Sequence, residues 1–368
     1  MEITITQAEL QAGLYLDQGV VEKRSTTPIL QNVLVQSVEG GVVIKATDNE
    51  IAVGRLCAAT VKKKGTLTTN ARKLYEMVRE LPEGEIKIKS LDNNWIELVS
   101  GKARFRVVGM DPREFPEMME PPAANVPAVK ISSQVLAGMF DRTIFAVSGD
   151  DGRPNLNGVF VQRAEDGRLR MVATDGHRLA MVTRPAEGEG LQEGVILSRR
   201  SVLELKKALE GEESDVEMIL AGGVMHVRRG PVRLSTRLVD GQFPDYKQVI
   251  PEKGDRLVLI DIDVFAKALR RVSVVSSDRT KGVRLQIEAN RMQLSASSEL
   301  GDATDEIDVE YDGEPMAIGF NARYIIDALA VMPAGGRVEI TLIDEVSPGV
   351  MRETGDLDYC YIVMPMRL

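Results

Sequence analysis

Two histidines and two cysteines stand in a chain of 368 residues, so the search for chemistry is short. One histidine lies close to an aspartate, in Thr174-Asp175-Gly176-His177-Arg178-Leu179. An imidazole held by a carboxylate is a general base. No nucleophile, second acid or metal set accompanies the pair, and a binding turn is the better reading of the segment. His177 and His226 together are too few for a three-histidine zinc site or an HExxH helix. Cys57 and Cys360 lie far apart in apolar, strand-like runs. They read as buried small hydrophobes, not as a disulfide framework or zinc ligands. No phosphate-binding loop, dinucleotide fingerprint or nucleophile elbow is present. No cofactor is called for, and a hydrolase built on His177 and Asp175 stands as a hypothesis to be tested.

The composition adds limits. Hydrophobic residues are 43% and charged residues 27%, enough for a sizeable core in two or three domains. No apolar run is long enough to cross a bilayer, and the start of the chain lacks the basic and apolar pattern of a secretion signal. A cytoplasmic protein without a membrane partner is expected. Aromatics are 4% with one tryptophan, Trp95, which argues against a stacking platform for single-stranded nucleic acid. The net charge of −9 and pI of about 5.1 argue in general against nucleic acid.

The elements that must carry any site recur three times. Helices are predicted over 7–23, 132–148 and 261–277, each after a short strand. Each has apolar residues at helical spacing, such as Leu10 and Leu14, Leu136 and Met139, or Phe265 and Leu269. A second series, 71–81, 198–209 and 321–332, keeps the same interval, with Asn70, Ser198 and Asn321 where an N-cap belongs. Strands at 29–36, 156–162 and 283–288 correspond, as do 43–48, 171–175 and 293–298. Glu114-Phe115-Pro116 and Gln242-Phe243-Pro244 close the first two repeats alike. Each repeat therefore reads as strand, helix, three strands, strand, helix, three strands, an α+β unit. Pro- or charge-rich linkers near 121–129 and 251–255 give domains 1–125, 126–253 and 254–368. Repetition supplies a scaffold more readily than a catalytic constellation, and repeated units either stack openly or close around an axis.

Charge is sorted between elements. The six helices sum to +4 and the rest of the chain to −13. Solvated helix faces are one explanation. A helix-lined surface meeting a polyanion is the other, and it would touch phosphates without reading bases. Arg72, Lys73, Arg199, Arg200, Lys206 and Lys207 carry much of that helical charge. The ends differ too. In 102–106, Lys102, Arg104 and Arg106 alternate onto one strand face, whereas Glu299, Asp302, Asp305, Glu306 and Asp308 crowd one region of the third repeat. Opposite edges suit a head-to-tail contact, with Phe105 against Val274 and Val275 at its centre. Edge-strand protection by charge explains the same pattern. The C-terminus, Val363-Met364-Pro365-Met366-Arg367-Leu368, stays apolar where most termini are polar. It reads as a core strand, as an adaptable binding surface, or as a strand ending in a groove.

Three motifs together carry a resemblance over the whole chain: 174–180, Leu238-Val239-Asp240-Gly241-Gln242-Phe243-Pro244-Asp245-Tyr246, and the terminal 363–368. With the three-repeat plan they resemble the bacterial replicative sliding clamps, the beta subunits of DNA polymerase III. The resemblance implies three clamp domains per chain, each with two helices packed on antiparallel sheets. It implies a head-to-tail homodimeric ring with helices inside and sheets outside, located at the replisome. Duplex DNA would thread the hole without sequence preference, so only the inner surface need be basic. Implied partners are the polymerase III catalytic subunit, the clamp loader, and other polymerases and repair proteins. They would insert short Leu/Phe-bearing peptides into a pocket between the second and third domains.

Carried over by motif, the pocket comprises Leu156, Thr174, Gly176, His177, Arg178, Leu179, Pro244, Val249, Asn321, Tyr324, Val346, Met364, Pro365 and Met366. Arg24, before Ser25-Thr26-Thr27-Pro28, matches a clamp residue that meets DNA. Gln248 stands where many clamps have a basic residue, Thr280 where relatives can carry an aromatic, and Arg153-Pro154-Asn155 where some carry aromatics near DNA. A monomeric adaptor that binds peptides without DNA is the alternative to the clamp.

Overall fold

The computed structural model describes residues 1–21, 26–122, 126–150, 152–251, 254–277, 280–299 and 301–367. The first repeat runs as its periodicity predicts. Strand Glu2–Thr6 leads into α1 (Gln7–Val20), then strands Asn32–Val38, Gly41–Thr47, Ile51–Lys63 and Thr66–Asn70. After them come α2 (Ala71–Glu80) and strands Glu85–Ser90, Trp95–Ser100 and Ala103–Met110. The second repeat carries α3 (Ser133–Ile144) and α4 (Arg199–Ala208), and the third α5 (Ile262–Ser273) and α6 (Ala322–Leu329). Among the described residues the order of α-helices and strands is the same each time, apart from a two-residue strand, Glu187–Gly188, added in the second repeat.

The helices start where their caps dictate. Thr6 Oγ1 accepts from the Glu9 amide at 3.3 Å, Asn70 Oδ1 from Lys73 at 3.0 Å, and Asp261 Oδ1 from Val264 at 2.9 Å. Each satisfies a donor that the first turn leaves open. Several helices end earlier than their apolar period suggests. After Ile144 and after Ser273 the amides switch to the carbonyl three residues back, as in Ala146 to Thr143 and Val274 to Arg271. That tightening stops an α-helix. Two predicted strand starts are also corrected. Pro28–Gln31 and Pro154–Leu156 are short 3-10 turns, and the strands begin at Asn32 and Gly158. Proline at the head of each turn has no amide to give a ladder.

The chain packs as two compact units, and the second repeat is shared between them. The first unit comprises Met1–Ala137, Ala186–Leu191 and Arg200–Leu238. Within it, Glu2–Thr6 pairs with both Glu85–Ser90 and Ile51–Lys63, closing the eight strands of the first repeat into a circuit. The buried face of α1, including Leu10, Leu14 and Val20, packs against α2 and strands Gly41–Thr47 and Ile51–Lys63. The sheet continues through the pairing of Ala52 with Ser235 into strand Val232–Arg237 of the second repeat.

The second unit comprises Gly138–Pro185, Gln192–Arg199 and Val239–Leu368. Its eight-stranded antiparallel sheet passes from the second to the third repeat where Arg178–Arg184 pairs with Tyr359–Val363, Leu179 opposite Ile362. A four-stranded sheet has Gly301–Asp308 at one edge and Met316–Asn321 at the other. Tyr359, Tyr361, Phe265 and Phe320 are among its largest fully buried side chains. Both cysteines are buried, and burial pushes the Cys57 thiol up to about 11.

One buried carboxylate makes the first unit pH-sensitive. Asp17 in α1 is 1% exposed, and burial pushes its carboxyl well above the usual range, with Lys207 opposing the shift. A carboxyl whose pKa is raised on folding contributes stability that is fully present below its unfolded value, near 3.8, and is lost as pH rises through the folded pKa. Asp17→Asn removes that dependence. The variant should gain melting temperature over the parent progressively from pH 4 to pH 8, with little difference at pH 4. A gap that narrows as pH rises would refute the assignment.

Candidate functional site

The turn at Thr174–Arg178 is built by its own side chains. Thr174 Oγ1 donates to the Arg178 carbonyl at 2.6 Å and accepts from the Gly176 amide at 3.1 Å. Asp175 Oδ1 accepts from the amides of His177 at 2.9 Å and Arg178 at 3.0 Å. Gly176 has φ +90°, a left-handed conformation that side-chain-bearing residues adopt at a cost. The first repeat makes the same turn. Thr47 Oγ1 donates to Ile51, Asp48 Oδ1 accepts from Glu50 and Ile51, and Asn49 takes φ +75°. Aspartate at this position is therefore a turn-former in both repeats. His177 meets Asp175 through its backbone amide, and Asp175 Oδ2 accepts from Arg178 Nε at 3.0 Å. Among the described residues, Asp175 accepts from the His177 amide and from Arg178, and no imidazole–carboxylate hydrogen bond of the general-base kind is formed.

The C-terminal segment docks on this turn. Val363 pairs with Arg178, the Met364 amide donates to the His177 carbonyl at 2.9 Å, and the Met366 amide to Gly319 at 2.8 Å. The terminal strand thus ends beside the turn, as the core-strand reading expects. Leu368 lies outside the described residues.

Between the turn, the terminal strand and the segment after Phe243 lies a cleft of about 250 Å³. Eight of the expected residues line it: Leu156, Thr174, Gly176, Arg178, Leu179, Pro244, Val249 and Met364. Its floor rests on a cluster with Val172, Leu179, Tyr246, Cys360 and Ile362, backed by Phe160 stacked on Phe243 at 4.8 Å. Apolar walls with a few polar groups at the rim suit an apolar peptide. Asp245, Tyr246 and Ile362 also line it, although they were not singled out as site residues. Asp245 and Tyr246 belong to the 238–246 motif, whereas Ile362 lies in a strand buried at every position, where alternation marks no single face. Gln248 donates to Asp245 Oδ2 at 3.0 Å and so stands beside the cleft as a neutral group.

The other expected residues do not line this cleft. The His177 and Tyr324 rings lie 6.5 Å apart at 20°, forming a shelf. Asn321 caps α6, accepting from the Arg323 amide at 2.9 Å. Val346 is 72% exposed on a turn held by Asp344. Pro365 and Met366 are half-buried in the terminal segment. Arg178 joins shelf to cleft. Its guanidinium lies 4.4 Å from the Tyr324 ring centroid, and it donates to Asp327 Oδ2 at 2.8 Å and to the Phe145 carbonyl at 2.6 Å. Burial, with Asp175 nearby, pushes the Tyr324 hydroxyl up. The Tyr361 hydroxyl, raised well above its usual value by burial, donates to the Tyr324 carbonyl at 2.8 Å.

The expected DNA-facing cations are of two kinds. Lys73 and Arg199 are exposed, Lys73 paired with Glu76 at 2.8 Å, while Arg72 and Lys206 are half-buried. Arg200 and Lys207 are engaged inside the first unit. Arg200 pairs with Asp48 and donates to the Val20 carbonyl at 2.9 Å. Lys207 donates to the Leu16 carbonyl at 3.4 Å and sits 4.4 Å from the Tyr15 ring centroid. Both long-range partnerships were hidden from sequence spacing. Arg24 lies outside the described residues.

Two strand edges complete the inventory. Ala103–Met110 pairs with Trp95–Ser100 along its length but meets Thr66–Asn70 only at Gly109 and Met110. Arg104 and Arg106 are exposed on one face, sharing Glu97, and Phe105 is half-buried on the other. Gly301–Asp308 is the edge of its sheet, with Asp302 exposed and Glu299 exposed just before it. Val274, at the end of α5, is 78% exposed, and Val275 is half-buried.

The chain is thus built from three copies of one two-helix unit and carries an apolar-walled cleft beside its Thr-Asp turn. Models of the DNA polymerase III beta subunit match it in order: the N-terminal domain over residues 1–119, the central domain over 130–245 and the C-terminal domain over 247–367. The beta sliding clamp of Caulobacter vibrioides is 34% identical over 375 residues, and that of Escherichia coli K12 is 30% identical over 370, each match covering both chains fully. The solved sliding clamp of Pseudomonas aeruginosa bound to griselimycin superposes with a TM-score of 0.94 at 33% identity. That of Bartonella birtlesii, also bound to griselimycin, gives 0.93 at 35%, again with full coverage of both chains. The chain belongs to the DNA polymerase III beta-subunit family. It is a sliding clamp, an accessory subunit and not an enzyme.

Proposed function

We propose that two copies of this chain join head to tail into a ring that encircles duplex DNA and tethers replication and repair proteins through the cleft beside Arg178. The observation that carries the ring is the pair of open strand edges of opposite charge in one chain, Ala103–Met110 with Arg104 and Arg106, and Gly301–Asp308 with Asp302. Phe105, Val274 and Val275 supply the apolar centre of the contact, and Glu299 joins Asp302 in the acidic half. Six domains, three from each chain with boundaries at 1–125, 126–253 and 254–368, then surround the DNA, helices inward and sheets outward. The family matches over 1–119 and 130–245 fall inside the first two of these domains, and the third, over 247–367, begins seven residues before 254.

Arg24, Arg72, Lys73, Arg199 and Lys206 face phosphates, and Arg200 and Lys207 contribute to the same field while bracing the first unit. Contacts of this kind are sequence-blind and weaken with salt. Topology, not affinity, then keeps the ring on DNA. The polymerase III catalytic subunit, the clamp loader and other polymerases present Leu/Phe-bearing peptides to the cleft. His177, Asn321, Tyr324, Val346, Pro365 and Met366 extend the peptide surface beyond the cleft itself. Griselimycin, present on two related clamps, should compete with such a peptide here. Among the described residues no helix is long and apolar enough to cross a membrane, and a place at the replisome follows from the role.

Light scattering across a dilution series tests the ring. The expected mass is about twice 40.4 kDa and persists on dilution. The protein should stay on closed circular duplex at high salt and leave when the circle is linearised. A stable monomer that still binds the peptide would favour the monomeric adaptor.

A further inference from the structure

Both units brace a Thr-Asp turn against the second helix of the following repeat, but with opposite arrangements of charge. In the first unit the turn offers the carboxylate of Asp48, and Arg200, the second residue of α4, reaches it. In the second unit Arg323 holds the matching place in α6 and is mostly exposed, with its Nε 3.6 Å from Asp327. There the turn's own Arg178 crosses instead, from Asp175 to Asp327 at 2.8 Å. Arg178 is 10% exposed on its side chain. Its guanidinium also reaches the Phe145 carbonyl and lies over Tyr324. This brace lines the cleft, which a peptide would touch, and it fixes the Tyr324 shelf relative to the Leu179 and Met364 walls.

We propose that Asp327, which lies outside the cleft lining, is a positioning residue for peptide recognition, acting by holding Arg178 in the orientation that joins cleft and shelf. The inference rests on the reading of the cleft as the peptide site. A buried guanidinium that loses one of two carboxylates keeps its charge but not its direction. Asp175 alone would draw Arg178 back toward its own turn and off the Tyr324 ring. Tyr324 would then keep its stack on His177 and its backbone tie to Tyr361, without the guanidinium that joins it to the cleft.

The test measures binding of a fluorescein-labelled Leu/Phe-bearing pentapeptide to the full-length protein by anisotropy, alongside melting temperature. Asp327→Ala should raise the peptide Kd about tenfold, the size expected for one lost charge-assisted hydrogen bond. Asp327→Asn, which keeps shape and an acceptor, should raise it about threefold. On an Arg178→Ala background, Asp327→Ala should add no further loss, because one residue acts through the other.

Arg142→Ala is the structural control. Arg142 bridges Glu353 and Asp356 at 2.8 and 2.6 Å in the same unit and does not line the cleft. It should lower the melting temperature and leave the peptide Kd within about twofold of the parent. Unchanged binding by Asp327→Ala, additivity with Arg178→Ala, or an equal binding loss in Arg142→Ala would overturn the proposal. Failure of the parent protein to bind the peptide would instead overturn the peptide-site reading itself.

Discussion

Deleting residues 364–368 is expected to abolish partner-peptide capture while leaving the native mass of the protein unchanged. Met364 forms part of the cleft wall, and its amide bonds the His177 carbonyl. Met366 ties the tail to Gly319. Removing Met364 from the cleft wall, together with Met366 from the proposed peptide surface beyond it, forfeits about 3 kcal/mol of peptide contact, a loss on the order of a hundred-fold in affinity. The strand itself should survive, because Val363 still pairs with Arg178 and with Gly349. Neither the Ala103–Met110 edge nor the Gly301–Asp308 edge uses the tail in its strand pairing. Peptide titration and light scattering on one preparation decide the matter. A truncated protein that falls apart or aggregates would show that the tail holds the fold rather than the partner.

Val274→Asp is expected to convert the ring to monomers and to end retention on circular DNA. A valine 78% exposed at the end of a helix contributes little to the packing of its own chain. Its substitution should move the melting temperature of the monomeric fold very little. In a contact centred on Phe105, Val274 and Val275, the same change buries an unpaired charge beside the acidic residues Glu299 and Asp302. An uncompensated buried charge costs about 3–5 kcal/mol, which is a weakening of the dimer by a hundred-fold or more. The dissociation constant from sedimentation and the fraction held on closed circles should change together. A Val274→Asp protein that stays dimeric and stays on circular DNA would place the self-contact elsewhere. The peptide cleft draws its sheet residues from strands Leu169–Thr174, Arg178–Arg184 and Tyr359–Val363 and takes none from α5, so it should bind as before and the variant also separates tethering from encirclement.

The two effects differ in how far they could be foreseen. The tail was conspicuous because it stays apolar where most termini are polar, which made a core strand one of its readings. The edges were visible as charge, since Arg104 and Arg106 fall on one strand face by period alone. What charge patterning did not reveal is that Arg200 and Lys207, counted with the other helix cations, engage Asp48, the Val20 carbonyl and the Leu16 carbonyl. A tally of formal charge on a helix is silent about which charges a neighbouring element neutralises.

Local hydrogen bonds and short periods were determined by the sequence alone. Thr174 and Asp175 close their turn on residues at most four places away, and Asn70 and Asn321 cap helices that begin one residue later. The element order of each repeat follows from the same short-range rules, which is why it could be read three times over. The tertiary structure decided which distant groups meet. Arg178 finds Asp327 across 149 residues, Arg142 finds Asp356 across 214, and the second repeat divides its sheets between two packed units. Such pairs depend on the path of the chain between them, and every helix offers several charges of suitable type. The cleft has the same origin: its walls come from a turn, a linker segment and the chain terminus, brought to one place by the pairing of Arg178–Arg184 with Tyr359–Val363 and the packing of Tyr246 on Leu179 and Ile362.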